Sequence, residues 1–177
     1  MNMSPEMKTR IDDARAWLDD HKDKPPVDLA RMMRVCGAGF MKELNGLSPG
    51  QWEFSPGERQ WSPKEVSLHM APSVQGVSQL VPVLAAGQEL NIDLQPGVLG
   101  DDPGSNDAIL EQLNGAFGAA VASMRALEEE VDEVAALKHP FFGPLNCREW
   151  AAFNILHTDI HRRQLQRIKS SDGFQAA

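Results

Sequence analysis

The chain has 177 residues, of which 25 are acidic and 17 basic, and its net charge of −8 disfavours nucleic acid or an anionic membrane as a partner. Two cysteines do not make a disulfide framework, and no signal peptide or membrane-spanning segment is evident, so we expect a cytoplasmic protein with reduced thiols. No glycine-rich phosphate loop, C-x-x-C pair or G-x-S-x-G motif supports a nucleotide-binding, zinc-ribbon or serine-hydrolase function. Because β-branched and aromatic residues are sparse and alternating apolar runs are absent, the sequence predicts an all-α protein.

The chain opens with a polar, charge-rich helix that is predicted from Ser4 to about His21. We interpret residues 1–26 as an N-terminal helical arm, which either packs on the rest of the protein or frays. Residues 27–170 are predicted to form one four-helix-bundle domain, and residues 171–177 a loose C-terminal tail.

The first two core helices are separated by a loop, Gly46–Gln60, that is rich in glycine, proline and serine. The first runs from Val27 to about Leu44 with apolar residues at helical spacing, among which Cys36 is a small core residue. The second begins clearly, because Ser62 as N-cap and Glu65 three residues later form a capping box. It is predicted to continue to about residue 86.

His69 lies on the inward face of this second core helix. Three residues later, Pro72 has no backbone N–H to pair with the carbonyl of Leu68, so we expect a kink beside the histidine. The connection that follows, Gly87–Gly104, is long for a structureless segment. It is interpreted as a functional loop, a crossover or a disordered segment.

The third core helix is predicted to be the longest, from about Ser105 to Lys138. Its apolar residues recur every three or four positions, as in bundle packing: Leu110, Leu113, Phe117, Ala120, Met124, Leu127, Val131 and Val134. A rigid turn, His139–Pro144, leads to the last helix, Cys147–Lys169, which Asn146 caps and Glu149 closes with a second capping box.

Two histidines of the last helix, His157 and His161, are four residues apart on its inward face. Imidazoles at this spacing can hold one metal ion, but the same pattern suits core histidines that are satisfied by hydrogen bonds. His69 lies ~9 Å along its own helix, and the pair lies ~12–18 Å from the end of theirs. In an antiparallel arrangement all three meet at nearly one height, and a parallel arrangement fits almost as well. His69, His157 and His161 are the candidate metal ligands in either case.

Two weaker candidates accompany these ligands. Gln164, on the same face as His161, either supports a ligand or makes an ordinary core hydrogen bond. His139, in the turn, either lines a pocket or packs against its neighbours. No general acid or base can be assigned, because the capping role of Glu65 already explains that residue.

Three segments carry a resemblance to a known family. Trp61–His69 has the form W-S-x-x-E-x-x-x-H, His139–Gly143 the form H-P-x-x-G, and Glu149–Leu165 the form E-W…H-x-x-x-H-x-x-Q-L. In these motifs the chain resembles the DinB/YfiT-like superfamily. The resemblance implies an up-down-down-up four-helix bundle, a three-histidine site for a divalent metal and, in many members, dimerisation. The N-terminal arm and Pro72 depart from the family pattern.

The expected function is that of a divalent-metal-dependent enzyme acting on a small molecule. The resemblance to members that use a low-molecular-weight thiol implies a transferase, isomerase or hydrolase. Nickel, zinc, iron and manganese are not separable from this ligand set. The alternative is a non-catalytic metal-binding or dimerising bundle. A homodimer is expected if the helices bury a further apolar strip, and a monomer if the arm covers that strip.

Overall fold

Four long helices form the core of the protein. The computed structural model describes residues 4–128, 130–131 and 133–177. Its elements are helices α1 (Pro5–His21), α2 (Pro26–Leu44), α3 (Pro49–Glu53), α4 (Pro63–Ala85) and α5 (Asn106–Arg125), strands β1 (Ala136–His139) and β2 (Gly143–Asn146), helix α6 (Cys147–Lys169) and a 3₁₀ turn (Phe174–Ala176). The core helices of the predicted bundle are α2, α4, α5 and α6, and each packs against two of the others.

Contacts between the helices fix their directions. The Cys36 thiol lies 3.6 Å from the Ile155 carbonyl and, further along both helices, the Lys169 ammonium lies 2.9 Å from the Glu43 carboxylate. Residue numbers rise together along these contacts, so α2 and α6 are parallel.

Helices α4 and α5 run the other way. His69 meets His157 whereas Val74, further along α4, meets Asn154, so α4 is antiparallel to α6. Just past the end of α5, the Glu128 carbonyl accepts a bond from Arg148 at the start of α6, which places the end of α5 at that end of the bundle. The order is up-down-down-up, with residues 86–105 as the crossover, and the predicted fold is confirmed.

Both helices that carry the candidate ligands begin at a capping box, as predicted. The Ser62 hydroxyl accepts from the Glu65 N–H at 3.2 Å, and the Glu65 carboxylate accepts from the Ser62 N–H at 2.8 Å. Asn146 and Glu149 make the same pair of bonds at 2.9 and 3.0 Å. These bonds satisfy backbone donors that a helix start leaves unpaired, and so fix where each helix begins.

The N-terminal helix α1 packs against the bundle rather than fraying. Leu18 is fully buried, and the Arg15 guanidinium lies 2.8 Å from the carboxylate of Glu149, which caps α6. The division into an N-terminal arm and a bundle domain remains a prediction.

The predicted extent of the third core helix is wrong: α5 ends at Arg125 rather than near Lys138. Beyond it, β1 and β2 pair antiparallel in register from Ala136 with Asn146 to His139 with Gly143. The apolar spacing continues past Arg125 in the sequence, so periodicity alone does not mark where this helix ends. Glu129 and Asp132 of the expected helix lie outside the described residues.

The C-terminal residues do not form the expected loose tail. Phe174 is 1% exposed and packs edge-on against Phe54, with ring centroids 5.5 Å apart. The carbonyl of Ala177 accepts from the Ser48 hydroxyl at 3.0 Å, beside helix α3. The loop before α4 is therefore pinned by the end of the chain. In the described part of the chain, no helix combines the length and hydropathy that a bilayer crossing needs.

Candidate metal centre

The three candidate ligands meet at one point between α4 and α6. The Nε2 atom of His157 lies 3.2 Å from Nε2 of His69 and 3.0 Å from Nε2 of His161. One ligand atom from each histidine can be chosen so that all three lie within 4.8 Å of one another. Two nitrogens bound to one zinc ion at ~2.05 Å in tetrahedral geometry would be ~3.3 Å apart. The spacing therefore suits a shared metal ion.

Hydrogen bonds at the far side of two rings determine which nitrogen faces the centre as an acceptor. The Nδ1 atom of His69 donates to the backbone carbonyl of Val98 at 2.8 Å, and Nδ1 of His161 donates to Oε1 of Gln164 at 2.8 Å. A neutral imidazole that carries its proton on Nδ1 presents a lone pair at Nε2. Two lone pairs therefore point at the Nε2 atom of His157, whose single proton can satisfy only one of them.

A fourth acceptor lies one helical turn away. Asn154 is 1% exposed, and its Oδ1 has no hydrogen-bond partner among the described residues. Native interiors leave few buried polar atoms unpaired. This part of the interior has more acceptors than donors, which favours a cation.

The crossover binds α4 beside His69, where a proline leaves one helical hydrogen bond unmade. Pro72 has no N–H for the carbonyl of Leu68, and the N–H of Gly100 donates to that carbonyl at 2.9 Å instead. A Cβ at position 100 would lie 3.0 Å from both the Leu68 oxygen and Pro72 Cγ, so only glycine allows this approach without a shift. Two residues earlier on the same segment, Val98 accepts the His69 bond. The proline thus creates the docking point for the loop that orients a candidate ligand.

The electrostatic environment keeps the three imidazoles neutral. Burial lowers the pKa of His69, and burial together with its two neighbouring histidines lowers the pKa of His157 well below its ordinary value. The pKa of His161 falls to about 4, chiefly through burial and then the charge of His69, with a smaller contribution from Arg167. Neutral imidazoles are the form that binds metal, so the ligands are ready at neutral pH.

Aromatic rings enclose the cluster on two sides. Trp61 lies 5.0 Å from His69 and stacks nearly parallel to His161 at 6.0 Å, measured between ring centroids. Phe153 stacks on His157 at 5.2 Å. These rings restrict the imidazole orientations, while His69 is buried and His157 and His161 are partly exposed.

Of the two weaker candidates from the sequence, Gln164 lies at the histidine cluster and His139 does not. Gln164 contacts His161 directly, where it can support a ligand. His139 is separated from His157 by Phe153, and its Nδ1 atom accepts from the N–H groups of Phe141 and Phe142 at 3.2 and 3.3 Å, so it holds the turn of the hairpin.

Sequence reasoning missed the Val98 carbonyl and the contact of Gly100. The unpaired Leu68 carbonyl that Pro72 predicts was the one available signal, because a buried carbonyl needs a donor from elsewhere.

The comparisons with known proteins identify a family but no individual relative. No curated protein matches the chain. The family model described as the DinB superfamily matches residues 32–165, which include all three histidines of the cluster and three-quarters of the chain. The chain therefore belongs to the DinB superfamily.

Proposed function

We propose that this protein is a divalent-metal-dependent enzyme whose metal ligands are His69, His157 and His161. The observation that carries the proposal is the convergence of three neutral imidazoles on one point, with two lone pairs fixed toward it by Val98 and Gln164. When bound, the metal would supply an open coordination position that lowers the pKa of a bound water or thiol. The ligand set does not distinguish nickel, zinc, iron and manganese, so all four are tested.

The proposed reaction joins a low-molecular-weight thiol to a small-molecule electrophile, as a transfer, or uses the thiol in an isomerisation or hydrolysis. The chain's own part would be to hold and orient the ligands. Val98 and Gln164 fix two imidazole tautomers, while Trp61 and Phe153 pack against His161 and His157. A cytoplasmic location, where such thiols are abundant, is part of the proposal.

The experiment is metal loading followed by activity assays. Purified protein is stripped with chelator, reloaded separately with each of the four metals, and assayed for metal content and for thiol transfer with several cellular thiols and electrophiles. Metal-dependent turnover that is lost in His157→Ala supports the proposal. Full occupancy by metal in that variant would overturn the ligand assignment.

A non-catalytic metal-binding bundle is the second candidate. It is favoured by the composition of the cluster, because no carboxylate of a described residue joins the three histidines. Glu65, the nearest acidic residue in the family motif, is occupied by its capping bond to Ser62. Stoichiometric metal without turnover across all thiols and electrophiles would select this candidate.

A further inference from the structure

A cavity of about 460 Å³ lies beside the histidine cluster, on the other side of Trp61 and Gln164. Both residues line the cavity and also touch the cluster: the Trp61 ring lies against His69 and His161, and Gln164 accepts the bond from His161. The cavity and the proposed ligands therefore share Trp61 and Gln164 as immediate neighbours.

The charged residues that line this cavity are all basic. Arg59 and Arg167 line it, and no acidic residue does. In the described part of the chain neither guanidinium has an ion-pair or hydrogen-bond partner, whereas Arg162 and Arg163, also on α6, both pair with Asp159. Two unneutralised guanidinium groups in one cavity of a chain with net charge −8 indicate a place for an anion.

The remaining lining groups suit the same ligand. Because Oε1 of Gln164 already accepts from His161, the amide NH₂ of Gln164 is left as a donor. Trp61 offers the flat face of a half-buried indole, and Ile168 is a buried apolar neighbour. Guanidinium groups bind carboxylate and phosphate through paired N–H bonds, and an amide donor adds a third contact.

We propose that the cavity formed by Arg59, Trp61, Gln164 and Arg167 binds a carboxylate or phosphate group of the small-molecule substrate or thiol. The preferred ligand then has two ends, an anionic group held by the arginines and a reacting thiol or electrophile that reaches the histidine cluster. The second half of this assignment rests on the proposed function. The anion site itself does not, because every residue that forms it is outside the ligand set.

The test measures anion binding to protein from which metal has been removed. Inorganic phosphate and succinate are titrated separately at constant ionic strength into ¹⁵N-labelled full-length protein, and the indole N–H of Trp61 and the amide of Gln164 are followed by NMR. Saturable shifts are expected with at least one of the two anions, and comparison of the two titrations distinguishes phosphate from carboxylate. Arg59→Gln and Arg167→Gln should each weaken binding by about tenfold or more, which corresponds to ~1.4 kcal/mol.

Arg163→Gln is the matched control, since it removes an exposed arginine from the same helix as Arg167 without touching the cavity. It should bind the anion as the wild type does. Absence of saturable shifts with both anions, or equal affinity in wild type and the two cavity variants, would overturn the anion site. Metal content of the reloaded variants is measured in parallel and should be unchanged, so failure of the metal proposal would appear there and not in the titration.

Discussion

Replacement of Gly100 by alanine tests whether the crossover orients His69. In the structure the Gly100 N–H supplies the bond that Pro72 denies to the Leu68 carbonyl, and a Cβ there would lie 3.0 Å from that oxygen. The neighbours of this Cβ are a backbone oxygen and a proline ring, neither of which can rotate away. The crossover must therefore move outward by a few tenths of an ångström, and we expect the Val98 carbonyl, two residues away, to move with it.

The expected cost has two parts. The shift weakens the bond from Gly100 to the Leu68 carbonyl, and its complete loss, which would cost ~1–3 kcal/mol of unfolding free energy, is the upper limit. For a chain of this length that upper limit lowers Tm by ~2–12 °C. Loss of the bond from His69 to Val98 releases the ring orientation, and the removal of such partners typically weakens metal affinity 10–100-fold.

The assay pairs thermal unfolding of the metal-free protein with metal affinity from chelator competition. Gly118→Ala is the matched control, because a Cβ at that helical position meets nothing within 4 Å. It should raise stability by ~0.5–1 kcal/mol and leave metal affinity unchanged.

Pro72→Ala separates the effect of the Gly100 contact on stability from its effect on metal affinity. It returns a helical N–H to the Leu68 carbonyl and removes a proline penalty of ~3 kcal/mol, so stability should rise. The restored N–H competes with Gly100 for the same carbonyl, so metal affinity should fall. If both Gly100→Ala and Pro72→Ala bind metal as the wild type does, the crossover does not orient His69 and the reasoning is refuted.

Three other perturbations test other parts of the molecule. Metal at a hundredfold excess over its Kd should stabilise the folded protein by ~2.7 kcal/mol, and His157→Ala should abolish this stabilisation. His139→Asn should retain it, and thermal unfolding with and without metal measures the difference. Burial lowers the pKa of His139 to about 4, so between pH 6.5 and 4 the unfolded chain binds a proton that the folded chain does not, and stability should fall as the pH drops through this range. His139→Asn keeps an acceptor for the turn but does not titrate there, so its stability, measured by urea titration, should fall less steeply. We also propose a homodimer through the exposed apolar side chains Val35 and Ile160, and light scattering that gives 19.5 kDa at every concentration would exclude it.

The parts of the site that sequence could predict are those set by local rules. Capping boxes at Ser62 and Asn146 fix where α4 and α6 begin, and helical geometry then fixes the heights of the histidines along each axis. These heights suit a parallel pair of helices almost as well as an antiparallel one, so the sequence does not decide the direction. The contacts between His69 and His157 and between Val74 and Asn154 show that the pair is antiparallel.

The parts that sequence could not predict depend on contacts between distant segments. The crossover has no periodic pattern in the sequence. The bonds of Val98 to His69 and of Gly100 to Leu68 could therefore be identified only from the structure, in which the crossover packs against α4. The end of α5 was missed for a related reason. Apolar spacing cannot distinguish a helix that continues from one that stops, and Leu127 is buried just beyond the helix while Val134 is 92% exposed.

The charge of the cluster connects the metal proposal with the cavity beside it. Three neutral imidazoles contribute no negative charge, and no carboxylate of a described residue joins them. No protein ligand would therefore balance the two positive charges of a divalent ion held there. Arg167 adds a further positive charge nearby, since it lowers the pKa of His161 after the larger effects of burial and His69. Such a site gains most from an anionic partner, because a thiolate at the centre or a carboxylate in the cavity relieves the same excess of positive charge. Anion and metal should therefore strengthen each other's binding by the same factor, since coupling between two sites is reciprocal.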